Sequence, residues 1–144
     1  MIKKKKLPTI AKLKKKVWKS MSLYIRLRDS DEDGNGKCCS CGVEKHYKQG
    51  HAGHFYPKSL GLEIYFEERN VHLQCPGCNL FKHGNLAPYA VFLEKKYGNG
   101  IIQELQDIRN KKPMGTADAR EFLAAKEIYF KAQLEVEKIK RSIL

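Results

Sequence analysis

Two pairs of cysteines frame the middle of the chain, and their spacing is typical of a zinc site. Cys38 and Cys41 form one C-x-x-C pair, and Cys75 and Cys78 form the other. Such pairs let four thiolates surround one ion tetrahedrally, with two sulfurs from each tight turn. We therefore predict a closed, structural Zn²⁺ site, with the odd cysteine, Cys39, outside it. A redox pair is the alternative, but it needs a single C-x-x-C beside a βαβ pattern, which this sequence lacks.

Histidine and asparagine side chains around these pairs could hydrolyse a phosphodiester. That reaction needs a base that deprotonates water and a divalent cation that neutralises the developing charge. His54 is the candidate base, and Asn79 is the candidate ligand of a catalytic metal distinct from the zinc. Asn70 would hold the His54 ring in one tautomer. Each residue alone has a commoner structural use, and only their joint placement around one zinc site favours catalysis.

His54 lies in a glycine-rich stretch, residues 49–57, that we predict to be a short strand. If it is extended, period two puts His51 and Gly53 on one face and His54 on the other. Residues 70–74 form the return segment that leads into the second cysteine pair, after a loop with little pattern.

A helix is expected to start at the second cysteine pair. On that helix Asn79 and His83 would be four residues apart and share a face, with Lys82 beside them.

Positive charge dominates the composition. The chain has 28 Lys or Arg against 16 Asp or Glu, a net charge of +12. This excess favours a polyanionic partner, nucleic acid first, although ribosomal and membrane-surface proteins share it. No window approaches the length of a membrane span, and five cysteines without an apolar leader do not fit a secreted disulfide scaffold. We expect a soluble cytoplasmic protein.

The first 28 residues contain eleven Lys or Arg and no Asp or Glu. We predict a basic arm and then, from about Pro8, an amphipathic helix with lysines around most of its circumference. These lysines either contact phosphate or only solvate the helix, and we favour phosphate contact. The apolar stripe consists of Ile10, Leu13, Val17, Met21, Tyr24 and Ile25, and the candidate DNA-binding residues are Lys14, Lys15, Lys19 and Arg26.

The acidic stretch from Asp29 to Gly34 begins like a calcium loop, D-x-D-x-D-G. The pattern fails at Ser40, where such a loop needs a bidentate Glu, and at Lys37. We interpret the stretch as an acidic connector with turn residues at 34–36.

Three further helices are predicted toward the C-terminus. Asn85 is suited to cap a helix that Gly98 ends, and a shorter one follows over residues 100–110. Thr116 can cap a long last helix, which packs on its own domain or pairs as a dimeric coiled coil. Its predicted seam is Phe122, Ala125, Tyr129, Ala132, Val136, Ile139 and Ile143.

Several segments between Tyr24 and Tyr97 form a combined motif. They are Tyr24 to Asp29, Cys38 to Gly42, Ala52 to Phe55, Asn70 to Cys75, Cys78-Asn79, and Gly84-Asn85 with Tyr89. The string resembles the zinc-bearing HNH (ββα-metal) nucleases and, more closely, the NinG/Rap family of lambdoid phage recombination proteins.

This resemblance implies a metal-dependent endonuclease that acts on Holliday junctions and displacement loops. By position, His54 matches the general base of HNH nucleases and Asn79 matches the metal-binding residue. Many HNH enzymes have an Asp immediately before the base, where this chain has Gly53. The family resembled commonly has an acidic residue three before the base, where this chain has His51.

His51 would therefore ligate the catalytic ion in place of that acid, with His72 and His83 as competitors. Imidazole ligands would favour Mn²⁺, Ni²⁺ or Zn²⁺ over Mg²⁺.

We therefore expect a mostly helical α+β fold with a zinc-stabilised ββα-metal core. Its parts would be a basic arm and helix (1–30), the core (31–98) and a helical region (99–144).

The expected function is a structure-selective DNA endonuclease with Mg²⁺ or Mn²⁺ as catalytic ion. Lys82 and the basic helix would grip flanking phosphates, in the host cytoplasm if the protein is phage-encoded. Expected partners are branched DNA, a second copy of the chain and phage recombination proteins. The rivals are a non-catalytic, zinc-stabilised DNA-binding accessory protein and a structural RNA-binding protein.

Overall fold

The computed structural model describes residues 2–57 and 61–142 and has a mostly helical α+β fold. In this part of the chain, two antiparallel sheets of two strands each lie among five α-helices. The elements are α1 (Ile10–Arg28), β1 (Asn35–Lys37), β2 (Glu44–His46), β3 (His51–His54), α2 (Leu62–Tyr65), β4 (Val71–Gln74), α3 (Leu86–Tyr97), α4 (Ile101–Arg109) and α5 (Thr116–Lys140).

Helix α1 forms as the sequence predicts. Thr9 caps it, because its hydroxyl accepts a hydrogen bond from the Lys12 amide at 3.2 Å. The apolar stripe is buried, with Val17, Met21 and Ile25 almost fully hidden from solvent. This stripe packs along α5, and the two helices share the larger hydrophobic core. Lysines occupy much of the remaining circumference of α1.

The buried face of α5 is not the predicted seam. Ala119, Leu123, Phe130 and Leu134 are buried, and three of these four join the core with α1. Of the predicted seam residues, Phe122 is half-buried, Ile143 lies outside the described residues, and the others are exposed, namely Ala125, Tyr129, Ala132, Val136 and Ile139. Neighbouring residues differ by about 100° around a helix, so α5 offers two apolar rows, and α1 covers only one. Pairing of the exposed row with a second copy stays a prediction.

One predicted helix cap is wrong and another is right in position only. Helix α5 begins at Thr116 itself, and the extended Gly115 holds the cap position without a side-chain bond. Asn85 occupies the cap position of α3, as predicted, in the left-handed conformation with φ 43°, but its side-chain amide donates to Cys78 Sγ at 3.4 Å and makes no bond to the helix. The predicted end of α3 at Gly98 is confirmed, since φ of +99° there favours glycine.

The first cysteine pair lies in a β-hairpin that the sequence did not reveal. Strands β1 and β2 pair antiparallel, with Gly36 opposite Lys45, where a turn at 34–36 was predicted. The Asp31 carboxylate accepts hydrogen bonds from the amides of Asp33 and Asn35. That carboxylate therefore shapes the turn into β1, so the stretch is the acidic connector expected rather than a calcium loop.

Strands β3 and β4 confirm the predicted hairpin-like pair. They are antiparallel, with His51 opposite Gln74 and His54 opposite Val71. The segment between them holds α2 and a 3-10 turn, Glu68–Asn70, where a patternless loop was expected.

The helix predicted after the second cysteine pair is only a π-helical turn, Gly77–Phe81. The Lys82 amide bonds to the Gly77 carbonyl and ends the turn, and His83 then takes a positive φ of 49°. His83 therefore lies beyond the helix and does not share a helical face with Asn79. Helix α4 matches the predicted residues within one position at each end. None of the helices in the described ranges is long and apolar enough to cross a membrane.

Candidate metal centre and catalytic groove

The four predicted zinc ligands come together. The sulfur atoms of Cys38, Cys41, Cys75 and Cys78 all lie within 4.8 Å of one another, so they could hold one structural metal ion such as zinc. Cys41 is exposed and the other three are buried. Burial opposes ionisation of Cys38, but nearby backbone amides outweigh it and lower the pKa of this thiol to about 7. Burial and the neighbouring thiols raise the pKa of Cys78 to about 12, so the four sulfurs would ionise together only with a cation to balance their charge.

Cys39 lies outside the cluster, as predicted. Its thiol is buried in the smaller core, and its amide donates to the Leu73 carbonyl at 2.9 Å. Burial, assisted by the negative charge on Cys38, raises the pKa of Cys39. The residue therefore ties the first cysteine pair to β4 and stays a neutral thiol.

Beside the cysteine cluster runs a groove of about 670 Å³. It is lined by α1, by β3 and by the turn after the second cysteine pair. Among the described residues that line it, none is Asp or Glu. The lining residues used below are Trp18, Ser22, Arg26, His51, His54, Asn79, Leu80, His83 and Leu86.

His54 is held in the groove by its ring nitrogen and by stacking. Its Nε2–H donates to the Tyr65 carbonyl at 2.9 Å. The ring stacks on Trp18, with centroids 4.9 Å apart and planes at 26°, and tilts against Tyr65 at 4.9 Å. A neutral imidazole that donates through Nε2 carries its lone pair on Nδ1. The contacts thus select the tautomer in which Nδ1 can accept a proton.

We expected Asn70 to hold the His54 ring through a side-chain or backbone bond. Its side chain instead bonds to backbone groups of the segments that surround His54. Its fully buried amide donates to the carbonyls of Tyr56 and Ile64 and accepts from the Tyr56 amide. The Asn70 carbonyl also accepts from the Phe55 amide. These bonds join the chain after His54 to α2, which carries the Tyr65 carbonyl, so Asn70 positions His54 indirectly.

His51 and Asn79 meet in the groove, as the metal-site prediction requires. The Asn79 side-chain nitrogen lies 3.1 Å from His51 Nδ1, and the Asn79 amide bonds to the Cys75 carbonyl at 3.0 Å. A flat strand would place His51 and His54 on opposite faces. Both nevertheless line the groove. Among the described strands, β3 pairs only with β4, so the unpaired edge of β3 faces the groove.

The other two histidines that could ligate the catalytic ion, His72 and His83, lie in different surroundings. His72 is buried, its Nδ1 lies 3.2 Å from the Tyr89 hydroxyl and its Nε2 2.8 Å from the Tyr97 hydroxyl. Burial lowers the pKa of His72 to about 3. His72 is therefore a satisfied core residue and not a ligand. His83 is exposed and lines the groove.

The predicted DNA-binding residues are distributed unevenly. Arg26 lines the groove, and its guanidinium bonds to the carbonyls of Ser22 and Tyr47. Lys14 lies over the Tyr65 ring at 4.9 Å from Nζ to the centroid. Exposed lysines complete the set, namely Lys15 and Lys19 on α1 and Lys82 beside the groove.

The sequence analysis did not identify two residues that hold His54, namely Trp18 and Tyr65. A signal for the first existed, because Trp18, Ser22 and Arg26 repeat every four residues and share one face of α1. No pattern marks Tyr65, since it reaches His54 through its backbone.

Fold and site together define a small, basic, mostly helical α+β protein with a four-cysteine cluster that could bind metal. Residues 1–138 match a family model described as NinG, Bacteriophage Lambda NinG protein. The chain belongs to this family.

Curated relatives agree with that assignment. Protein ninG of Escherichia phage lambda is 35% identical over 97 residues, which are 67% of this chain and 45% of that protein. Protein ninG of Salmonella phage P22 is 36% identical over 92 residues, 64% of this chain and 43% of that protein. The match thus spans less than half the length of each of these relatives. The chain matches no solved structure.

Proposed function

We propose that this protein is a metal-dependent endonuclease that cuts branched DNA, with His54 as the general base. The observation that carries the proposal is the groove itself. His54, in a defined tautomer, lies in the same groove as Arg26 and the His51–Asn79 pair, beside a four-cysteine cluster.

His54 can take the proton of the attacking water. The water oxygen forms the new bond to phosphorus and its proton passes to Nδ1, while the bond to the leaving oxygen breaks and that oxygen takes a proton from solvent. The imidazolium then keeps its Nε2–H on the Tyr65 carbonyl, stacks on Trp18 and contacts the Tyr65 ring, which itself packs edge-on against Trp18. Aromatic faces attract a cation, so the stacking supports the charged form of the base.

His51 and Asn79 are the residues that would hold the catalytic cation. The side-chain atoms are 3.1 Å apart, and the oxygen and nitrogen of an amide exchange places on rotation. With the amide turned so that its oxygen faces His51, an imidazole nitrogen and an amide oxygen would lie close enough together to bind one cation. A cation there would neutralise charge that develops on the phosphate.

The donor set bears on which metal binds. It consists of imidazole and amide groups, and the described groove residues include no carboxylate. Imidazole suits transition metals better than Mg²⁺. We therefore expect Mn²⁺ to support cleavage better than Mg²⁺.

DNA is the proposed polyanion. Arg26 in the groove, Lys14, Lys15 and Lys19 on α1, and Lys82 after the π-helical turn would contact phosphates. Phosphate contacts position a protein without reading sequence, so selectivity would follow DNA structure. Binding should weaken steeply as salt rises, because counterions are released on binding.

A non-catalytic DNA-binding protein is the second candidate function. The same shortage of carboxylates in the groove favours it, because acidic ligands are the usual means of holding a catalytic Mg²⁺. In that case the groove would bind phosphate without cutting it.

One assay separates the two candidates. Junction DNA is incubated with Mg²⁺ or Mn²⁺ and the wild type, His54→Ala, or His46→Ala as a control on β2 outside the groove. The proposal predicts that His54→Ala loses at least about 10²-fold in rate, as expected for a general base, while it keeps metal content and DNA binding. His46→Ala should cut normally.

If the wild type binds junctions but cuts them with neither metal, the second candidate function, a non-catalytic DNA-binding protein, is correct. Tight RNA binding with indifference to junctions would instead support a structural RNA-binding role.

A further inference from the structure

Large apolar side chains project into solvent at the end of the π-helical turn. Phe81 is 81% exposed and its neighbour Leu80 is 58% exposed. Single exposed apolar residues are common on protein surfaces, but here two adjacent ones stand at the rim of the candidate groove. Leu80 and the 43% exposed Leu86 line that groove.

The turn that carries Phe81 is firmly anchored. Cys78 of the metal cluster lies inside it, and Asn79 bonds through its amide to the Cys75 carbonyl at 3.0 Å. After the turn, the Gly84 amide bonds to the Cys78 carbonyl at 2.9 Å. The aromatic ring is therefore presented on a rigid support, which reduces the entropy lost when it binds a partner.

Charge indicates what kind of partner this rim fits. Residues 79–87 contain Lys82 and His83 and no Asp or Glu. The opposite wall of the groove, formed by α1, contributes Trp18 and Arg26. Exposed aromatic rings beside cations are the combination that binds unstacked nucleobases and their phosphates.

We infer that Phe81 stacks on an unstacked base of bound DNA, with Leu80 packed beside it. In a continuous duplex every base is already stacked, and opening a step costs free energy. At a branch point the stack is already interrupted, so the same contact forms without that cost. Phe81 would thus make the protein prefer branched DNA to a duplex. The inference rests on the DNA binding of the proposed function and does not depend on cleavage.

The test is a binding measurement without added divalent cations. Wild type, Phe81→Ala, Phe81→Trp and the control Val91→Ala are titrated into a four-way junction and a duplex of the same sequence. Val91 is 50% exposed on α3, so its substitution removes a similar apolar side chain from another surface.

We expect Phe81→Ala to weaken junction binding by about 5- to 150-fold, the range found for loss of one base–aromatic stack, and duplex binding by less than about twofold. Phe81→Trp and Val91→Ala should bind like the wild type. A 2-aminopurine at the branch point should change fluorescence with the wild type and not with Phe81→Ala.

Equal losses on the two DNAs, or no loss on either, would overturn the stacking role. No binding of the wild type to any DNA also overturns it. Failure of the proposed nuclease looks different, because the wild type would then bind junctions through Phe81 and leave them uncut.

Discussion

The side chain of Gln74 occupies the space that any side chain on Gly53 would need. A Cβ atom on Gly53 would lie 2.0 Å from Gln74 Oε1 and 3.0 Å from Gln74 Cβ. Gln74 is held there, since its Nε2 donates to Ser40 Oγ at 2.8 Å and to the Gly84 carbonyl. This packing explains why the residue before His54 is glycine. In this chain an acid at that position would collide with the strand opposite.

Gly53→Ala should therefore destabilise the protein by about 1–3 kcal/mol, the usual cost of overpacking a core. Gly53→Ala combined with Gln74→Ala should recover part of that loss. Gly115→Ala is the matched control, because no atom lies within 4 Å of a Cβ there and φ is −67°. Urea denaturation of these three variants and of Gln74→Ala alone measures the coupling, and strictly additive losses would contradict the steric explanation.

Removal of one buried thiolate should cost the protein its metal. Cys75→Ser is expected to release the ion and unfold the centre of the chain, because structural zinc contributes on the order of 10 kcal/mol to folding. Cys39→Ala, a change in an equally buried cysteine outside the cluster, should keep one equivalent of metal. Metal analysis and thermal unfolding by circular dichroism distinguish the two. Equal metal content in both variants would exclude the four-cysteine site.

The only tryptophan of the chain reports directly on the groove. Trp18 stacks on His54, and both residues line the same cleft as His51 and Asn79. Mn²⁺ is paramagnetic, so its binding to the His51–Asn79 pair should quench Trp18 fluorescence in the zinc-loaded protein. We expect His51→Ala to weaken this quenching at least about tenfold, as loss of one ligand requires. His46→Ala should titrate like the wild type, and a loss shared by both variants would place the ion elsewhere.

Acid should destabilise the fold through His72. Its pKa is about 3 in the folded chain, against an ordinary value of 6.5, because burial disfavours the charged ring. Between these values the unfolded chain binds a proton that the folded chain does not, so stability falls as pH falls from 6.5 toward 3. Nearby charges modify the shift, with Asp29 raising this pKa and Arg28 and Lys96 lowering it.

The expected slope from this one group reaches about 1.4 kcal/mol per pH unit. His72→Gln removes the titrating ring, so its unfolding free energy should change less between pH 7 and pH 5 than that of the wild type. Urea unfolding at several pH values gives both slopes. Loss of thiolates acts on both proteins alike, and parallel curves would therefore show that His72 does not contribute.

Much of the fold was predictable where local chemistry acts alone. The α1 stripe, the ends of α3 and the extent of α4 follow from apolar spacing and glycine, and the structure confirms them. Predictions failed where one segment can make either of two sets of contacts. The last helix has two apolar rows one residue apart, and the Asn85 side chain can bond to the start of a helix or donate to the Cys78 sulfur.

The candidate site shows the same division. Residue types and spacing alone identified the four cysteines as candidate zinc ligands and His54, His51 and Asn79 as candidate catalytic residues. They could do so because metal binding and proton transfer need particular side-chain atoms. The structure decided which of these atoms meet. His72 became a core residue, Asn70 became a backbone brace, and Trp18 and the Tyr65 carbonyl took hold of His54.

Sequence by itself thus determined the chemical inventory of this NinG family member, namely its thiolates, its imidazoles and its excess of cations. Only the tertiary structure decided which histidine faces the groove and which is buried, and which row of α5 meets α1. The physical reason is that ligand identity is a property of single side chains. The burial of a side chain, the tautomer of a histidine and the row of a helix that is packed all depend on contacts between residues far apart in the chain. No local sequence pattern encodes those contacts.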